Sequence, residues 1–494
     1  MHLSGLYFNL YLSMKKLYWL LGCCLTALYV NAQKHDYNWV FGYGEPSAEF
    51  GGGLIDFNEV PTAARAYNLG MSVDGQAAAC SDSVGRLLFY TNGLRIFNRN
   101  RRLIQFGDTI NPGPLWIRLN QNPGVYLNYF GAQCIPAPGR RNCYYLFHHA
   151  YKLGQGNTLL NTPLYYTLID MGANGGEGKV LEKNRIMIEG DLIQLALTKH
   201  ANGRDWWLLV AQQSEHIYTR FLISDQGVSV PIQQYTGFNF SKPELASLCL
   251  FSPDGTRYLR GDAENGCHLF DFNRCTGELS NYLLLPEREA EGIFRMGASV
   301  FSPDSRFLYC NQPGQIVQFD LEAPDLGYYS IDTVQRFDLF TYPFDFFPVG
   351  FDWPQLGPDG KIYYSASSST RWMHIMHRPN LPGIACEVQN HALFLPRYND
   401  LTICFFPNYR LGVWEGSPCD TLPKRPSGGF SNTSYELFLE RQAKAVHNQP
   451  VSVGKSPSVK EKQTPGPYDL KAITLERMRR LGIISSSSSD IRYD

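Results

Sequence analysis

Metal-binding pairs, nucleotide-binding loops and an excess of charge are missing from this sequence. Of its twelve cysteines, the ten after residue 32 include no C-x-x-C pair, the spacing that zinc sites favour. No P-loop or G-x-S-x-G elbow stands between a strand and a helix, and no H-E-x-x-H occurs. The formal net charge is −1, which gives no electrostatic reason to expect nucleic acid. We therefore predict no metal, no cofactor and no nucleic-acid partner.

Helical periodicity and a second long apolar run are also missing. Between residues 37 and 415 no segment has convincing helical spacing, which argues against alternating β/α folds. No segment after the first 32 residues approaches the roughly 20 apolar residues of a bilayer span. What the chain does contain is 14% aromatic residues and 45 glycines, a composition typical of β-rich proteins with many tight turns.

The first 32 residues resemble an export signal. Lys15 and Lys16 precede the apolar run LYWLLGCCLTALYV, and Ala32 closes a small-residue cleavage site. We predict a signal peptide over residues 1–32 with Met14 as the true start. The alternative, lipid attachment at Cys23, is disfavoured because the apolar run continues beyond that cysteine. The mature chain is thus expected in the periplasm, at the cell surface or outside the cell.

A short motif recurs along the chain. FSPDGTRYL at 251–259 returns as FSPDSRFLY at 301–309 and LGPDGKIYY at 356–364. The glycine at the turn before each aromatic-rich strand, or the serine that replaces it, marks six repeats 50 to 64 residues apart. These residues are Gly85, Gly139, Gly203, Gly255, Ser305 and Gly360. Such spacing suits one four-stranded propeller blade per repeat. The repeated Asp-Gly favours a tight turn over calcium binding by Asp254 and Asp359, since no dense run of oxygen ligands is present.

A seventh blade is expected from both ends of the repeat region. Residues 391–414 (HALFLPRYNDLTICFFPNYRLGVW) supply late strands, and NWVFGYG and GGLIDFN supply early ones. Sharing a blade between the ends closes the ring and removes exposed edges. We therefore predict an all-β, seven-bladed propeller over residues 33–419, in preference to six or eight blades.

The C-terminal part has a different character. Residues 420–467 have linker composition, rich in Pro, Ser, Lys and Gly. Residues 468–494 predict one short amphipathic helix and a flexible serine-rich end, within a mostly disordered tail. The helix begins after Asp469 and stops at Gly482. Its apolar face, a candidate docking surface, consists of Leu470, Ile473, Met478 and Leu481.

The ordered motifs resemble a known group of proteins. WVFG, GGLIDF, GRLLFYTNG, YYTLIDMGANGGEGKV, SPDG with FDFNRCTGEL, QFDL, PDGKIYY and FFPNY follow one another over residues 37–412. This succession is similar to the secreted β-propeller proteins of gliding bacteria with type IX secretion, which carry TolB-like or WD-like repeats. The resemblance implies an exported or cell-surface propeller, usually without an assigned activity. The tail after residue 420 does not resemble the β-sandwich sorting domain that many relatives carry.

The richest candidate site is FDLFTYPFDFFPVGFDW, residues 337–353. Carboxylates interleaved with aromatic rings suit sugar binding, and paired acids at a suitable separation hydrolyse glycosides. The acids to test are Asp345 and Asp352. Packing between blades is the competing explanation for the rings. The candidate ligand-contact aromatics are Tyr342, Phe344, Phe346, Phe347 and Trp353.

Histidines and cysteines add structural expectations. The pairs His148-His149 and His374-x-x-His377 lie in predicted strands, where such neighbours point to opposite faces and do not share a metal. Cys134 and Cys143 flank the hairpin loop IPAPGRRN, so they are the favoured candidate disulfide. Cys267 with Cys275 is rejected because an extended strand separates them, and Cys386 with Cys404 stays open.

Taken together, these features favour an exported, non-catalytic propeller that acts as a protein- or glycan-binding or assembly module at the bacterial envelope or surface. One alternative is a glycan hydrolase or lyase that uses the central pocket, which requires two or more acids, or a histidine with an acid, converging at the channel mouth. Another is an accessory subunit of an export or surface complex, docked by its C-terminal helix.

Overall fold

A computed structural model describes residues 33–420 of the chain, except for 45–49, 74, 122–130, 154–158, 239, 241–243, 245–247, 263–264, 286–297, 313, 325–330, 339, 341–348 and 367–368. The predicted leader (1–32), most of the linker and the tail helix lie outside the described residues. The same holds for the predicted docking face of Leu470, Ile473, Met478 and Leu481. No helix in the described part of the chain is long and apolar enough to cross a membrane.

The described chain folds into seven antiparallel sheets that follow one another in sequence order, as blades 1 to 7. The predicted seven-bladed propeller is therefore confirmed. The helix α1 (Pro114–Gln121) lies between blades 2 and 3. Blade 1 contains β1 (Asn38–Gly42), β2 (Gly52–Asp56) and β3 (Ala63–Ala66). Blade 2 contains β4 (Ala78–Ser81), β5 (Leu87–Thr91) and β6 (Ile96–Asn98). Blade 3 contains β7 (Ala132–Pro136), β8 (Cys143–Leu153), β9 (Leu159–Asp170) and β10 (Lys179–Ile188).

Blades 4 to 7 repeat the same meander, and blade 4 has a divided outer edge. Short 3₁₀ turns lie between the third and fourth strands of blade 3 (Asn174–Gly176) and of blade 7 (Gly383–Cys386). The strands of these blades are β11 (Leu192–Lys199), β12 (Trp206–Gln212), β13 (Ile217–Ser224), β14 (Gly227–Val228) and β15 (Ile232–Tyr235); β16 (Leu248–Phe251), β17 (Arg257–Asp262), β18 (Gly266–Asn273) and β19 (Glu278–Leu284); β20 (Ser299–Phe301), β21 (Phe307–Gln312), β22 (Gln315–Asp320) and β23 (Ile331–Arg336); and β24 (Pro354–Leu356), β25 (Ile362–Tyr364), β26 (Thr370–Met376) and β27 (Val388–Asn399).

The repeated turn joins the first strand to the second in blades 2 to 7. All six positions that mark the repeat have a positive φ, between 65° and 90°, which explains the preference for glycine. In blade 5 the Gly255 N–H donates to the Ser252 carbonyl at 2.8 Å. The Asp254 carboxylate accepts the Thr256 N–H at 3.0 Å within the same turn. These turns lie on one side of the ring, which we call the turn face.

Both ends of the described chain build blade 1. Residues 401–406 lie beside β1, in the place that the first strand takes in other blades. The Cys404 thiol donates to the Val40 carbonyl at 3.5 Å, and Ile403 packs in one cluster with Trp39. Closure by the two ends is thus as predicted. One detail is corrected: β27 pairs with β26, so residues up to Asn399 belong to blade 7 and only the later part of 391–414 enters blade 1.

Large side chains fill the spaces between neighbouring blades. Trp206 packs in the cluster between blades 3 and 4, whereas Trp207 packs in the cluster between blades 4 and 5. Successive residues of a strand point to opposite faces, so one Trp-Trp pair supplies two interfaces. Burial of such aromatic side chains between the blades is a main source of stability in a propeller.

The disulfide differs from the predicted one. Cys275 bonds Cys419, with Cα atoms 5.5 Å apart and a sequence separation of 144. This bond fastens the end of the described chain to the turn face of blade 5. It confirms the rejection of a bond between Cys275 and Cys267, and Cys386 and Cys404 are free thiols as well.

The predicted bond between Cys134 and Cys143 is wrong. Both thiols are free and buried. Cys134 faces the cluster between blades 2 and 3, whereas Cys143 faces the cluster between blades 3 and 4. The two side chains therefore lie on opposite faces of the same sheet, where no rotamer brings their sulfur atoms together.

Candidate functional site

The first strands of the blades surround a central channel. Its cavity has a volume of about 320 Å³. Most of the lining comes from the first strands and turns of blades 4 to 7. The rest consists of Asp36, Gln133 of blade 3, and Phe405, Phe406, Pro407, Asn408 and Arg410 near the end of the described chain. The lining reaches Pro253, Pro303 and Pro358 of the repeated turns, so the channel opens on the turn face.

The apolar part of the lining follows from the repeat. The copies in blades 5 to 7 end the first strand with a large apolar residue and continue into a proline, which fixes φ at the second position of the turn. The stretch Phe405-Phe406-Pro407-Asn408 takes this role for blade 1 and matches Phe-Ser-Pro-Asp in blades 5 and 6. The ring symmetry therefore brings phenylalanine, leucine and proline side chains around one axis. The apolar lining includes Leu250, Phe251, Phe301, Leu356, Phe405 and Phe406.

One ion pair supplies the charged groups among the described lining residues. Arg410 donates to both carboxylate oxygens of Asp36, at 2.8 Å and 2.7 Å. The Asp36 side chain is 4% exposed and that of Arg410 is 40% exposed. Because the fork is bidentate, the two charges cancel at close range. The channel mouth thus has polar groups but no net charge from its lining.

The other polar lining groups are neutral amides and hydroxyls. The Asn408 side-chain amide donates to the Pro253 carbonyl at 2.7 Å. Gln355 accepts the Phe406 N–H at 3.4 Å and donates to the Leu356 carbonyl at 3.0 Å. These bonds fix the amides in place between blades 1, 5 and 7. A rigid, neutral lining of this kind suits an uncharged ligand with hydroxyl or amide groups.

Two of the sequence-predicted site residues, Asp352 and Trp353, lie in the described part of the chain, and neither lines this channel. Asp352 is half-buried, and its N–H donates to the Ser365 carbonyl at 3.0 Å. Trp353 is 5% exposed and packs in the cluster between blades 7 and 1. The remaining candidates, Tyr342, Phe344, Asp345, Phe346 and Phe347, lie outside the described residues. Their proposed part in ligand binding stays a prediction.

Two adjacent histidines occupy different environments in blade 3. His148 pairs with Asn111 at 2.7 Å and with Thr167 at 2.9 Å. His149 is also fully buried, and neither of its ring nitrogens has a hydrogen-bond partner among the described residues. Burial lowers the pKa of each to about 3. No group of three metal-binding side chains occurs in the residues that the structure covers.

Sequence reasoning missed Asp36, Arg410 and Asn408 as channel residues. The signal was present in FFPNYR, which aligns with the FSPD copies once its proline is matched to Pro253. That alignment places Asn408 at the turn and Arg410 just beyond it. The pairing of Arg410 with Asp36 follows only from ring closure, because 374 residues separate them.

Comparisons with known proteins return remote structural likenesses. No protein-family model matches the chain, and the search of curated proteins finds no match. The chain is similar to the periplasmic gluconolactonase of Pseudomonas aeruginosa (14% identity, 74% of this chain and 99% of that one, TM-score 0.42). It is also similar to a functionally unknown protein from Desulfotomaculum acetoxidans (12%, 74% and 99%, 0.39) and to a putative TolB from Agrobacterium tumefaciens (14%, 54% and 82%, 0.30).

At this level of likeness the relatives assign no activity. The seven-bladed architecture rests on the strand pairing of the chain itself. The propeller fold that the sequence resemblance implied is thus shown by this pairing, and a relation to TolB-like proteins in particular stays an expectation from the sequence. Type IX secretion stays an expectation from the sequence.

Proposed function

We propose that this protein is an exported, non-catalytic β-propeller that binds the end of an uncharged glycan in its central channel, at the bacterial envelope or surface. The observation that carries the proposal is the lining: apolar rings, fixed amides and one self-neutralised ion pair around about 320 Å³. That volume corresponds to about ten water molecules at roughly 30 Å³ each, which is room for one or two sugar rings. Such a combination orients a hydroxyl-rich ligand without attracting charge.

Binding is favoured over hydrolysis because of the carboxylates. Glycoside hydrolysis needs two carboxyl groups, about 5 to 9.5 Å apart across the scissile bond. Among the described residues, the channel lining has one carboxylate, Asp36, and Arg410 occupies both of its oxygens. A hydrolase or lyase acting through Asp345 and Asp352 is the competing function.

The disulfide supports the exported location. Structural disulfides persist in oxidising compartments, and Cys275–Cys419 joins two parts of the chain that are far apart in sequence. The expected start at Met14 and cleavage after Ala32 agree with this. Arg410, Gly412 and Cys419 all contact the turn face, so the described chain ends on the side where the channel opens.

The test is a binding screen with neutral and acidic oligosaccharides, followed by calorimetry on the mature chain. Leu250→Trp places an indole in the channel, and Leu381→Trp makes the same change at a side chain that is 38% exposed and outside the lining. We expect neutral glycans to bind, Leu250→Trp to weaken binding at least tenfold, and Leu381→Trp to leave it unchanged.

Three results would contradict the proposal. These are binding restricted to acidic glycans, equal affinity in Leu250→Trp, or no glycan binding at all. Release of shorter sugars during incubation would favour the hydrolase instead. In that case Asp345→Asn and Asp352→Asn should remove the activity. Thermal melting of each variant shows whether the fold is retained.

A further inference from the structure

Two free cysteines from neighbouring blades lie side by side. Cys267 is on β18 of blade 5 and Cys310 is on β21 of blade 6. Their sulfur atoms are 3.7 Å apart. Both residues are fully buried, and both pack in the cluster that joins these two blades.

The surroundings leave the two sulfur atoms facing each other. Gly261, opposite Cys267 in the ladder, has no side chain to separate them, and a Cβ there would lie 3.7 Å from the Cys267 sulfur. The Ser299 hydroxyl donates to the Cys310 sulfur at 3.3 Å and lies 3.7 Å from that of Cys267. Free cysteine is common in protein cores, but two thiols at contact distance across an interface form a different arrangement.

We propose that Cys267 and Cys310 form a second disulfide, which joins blade 5 to blade 6, when the protein folds in an oxidising compartment. The two thiols lose two protons and two electrons, and one S–S bond forms. The oxidant is a disulfide, either oxidised glutathione or a disulfide oxidoreductase, and its own S–S bond is cleaved to two thiols. The bonded sulfur atoms come to about 2.05 Å, so the bond requires a closer approach than the present separation of 3.7 Å.

The bond forms before the interface is sealed. Burial raises the pKa of the Cys310 thiol, so the reactive thiolate is scarce in the folded ring. During folding both cysteines are open to exchange, and blade 6 docks on blade 5 with the bond in place. With this bond and Cys275–Cys419 both formed, blade 5 is covalently joined to blade 6 on one side and to the end of the described chain on the other. This inference depends on the exported location but not on the ligand of the channel.

Peptide mapping tests the proposal directly. The mature chain is produced in the periplasm of a bacterial host, unfolded in iodoacetamide without reductant, digested and analysed by mass spectrometry. A second sample is unfolded, reduced and refolded with oxidised glutathione. Eight described cysteines lie outside the Cys275–Cys419 bond. We expect two of them, Cys267 and Cys310, to resist alkylation and to appear as one cross-linked peptide in both samples.

Internal controls are Cys249 and Cys404, which are equally buried free thiols and should be alkylated in full. In Cys310→Ser the cross-linked peptide should disappear and Cys267 should become alkylated. Full alkylation of Cys267 and Cys310 beside an intact Cys275–Cys419 bond would overturn the proposal while leaving the exported location standing. Full alkylation of Cys267, Cys310, Cys275 and Cys419 in both samples would also overturn the proposal, and it would count against export.

Discussion

Alanine at Gly255 should destabilise the propeller more than alanine at Gly360, although both glycines occupy the same place in the repeated turn. Their φ angles are 71° and 79°. An L-residue in this region costs about 1–2 kcal/mol, and reduced freedom of the unfolded chain offsets about 0.4–1 kcal/mol. These contributions are common to both sites. The space around the new methyl group is not.

A Cβ at residue 255 would lie 2.8 Å from both Leu411 Cδ2 and Thr198 Oγ1, and 3.0 Å from Arg274 Cδ. At residue 360 nothing lies within 4 Å. Overpacking costs about 1–3 kcal/mol, so this range is the expected difference in the free energy of unfolding between the two variants.

Urea unfolding of both variants measures this difference, because the terms that they share cancel. The wild-type chain already tolerates a side chain at one copy of the turn, Ser305, with φ at 65°. Equal losses of stability, or a larger loss at Gly360, would refute the reasoning from local space.

Two further results are expected. Reduction of Cys275–Cys419 opens a loop with a sequence separation of 144, and the chain-entropy model gives about 5 kcal/mol for the stability that such a bond contributes. The melting temperature should therefore fall when reductant is added. The variant Cys419→Ser should melt at this lower temperature without reductant. Because burial lowers the pKa of His148 and His149 to about 3 from 6.5, the unfolded chain binds more protons below pH 6.5, and stability should fall as the pH drops from 6.5 towards 3. His149→Leu should flatten this pH dependence with little loss of stability. His148→Leu should lower the free energy of unfolding by about 1–3 kcal/mol at neutral pH, because it leaves Asn111 and Thr167 without their partner. Equal losses in the two variants would contradict the different environments assigned to the two histidines.

Much of the fold was predictable because the repeat encodes it locally. A type I turn favours proline at its second position and glycine at its fourth, and the turns of blades 5 to 7 have this proline with Gly255, Ser305 or Gly360 at the fourth position. The marker residues therefore located the first hairpin of blades 2 to 7 without any tertiary information. Even Ser305 could be placed, since its neighbours keep the pattern.

The disulfide and the ion pair of the channel were not predictable in this way. Cys275 and Cys419, like Asp36 and Arg410, come together only when the ring closes. Sequence proximity favoured Cys134 and Cys143, but strand alternation placed them on opposite faces of blade 3. Likewise, the aromatic content of residues 337–353 drew attention to a segment of which Trp353, at least, is a core residue. Composition does not distinguish a ring that packs from a ring that binds.

The closing segment connects stability with the proposed function. Residues 405–408 and Arg410 belong to blade 1 and also line the channel, and Arg410 is held by Asp36 from the other end of the described chain. The site is therefore complete only in the closed ring. A ligand that binds only this state, at a concentration one hundred times its Kd, stabilises the fold by about 2.7 kcal/mol. A variant that loosens closure, such as Cys419→Ser, must lose affinity and stability together, whereas Leu250→Trp removes affinity from a ring that stays closed.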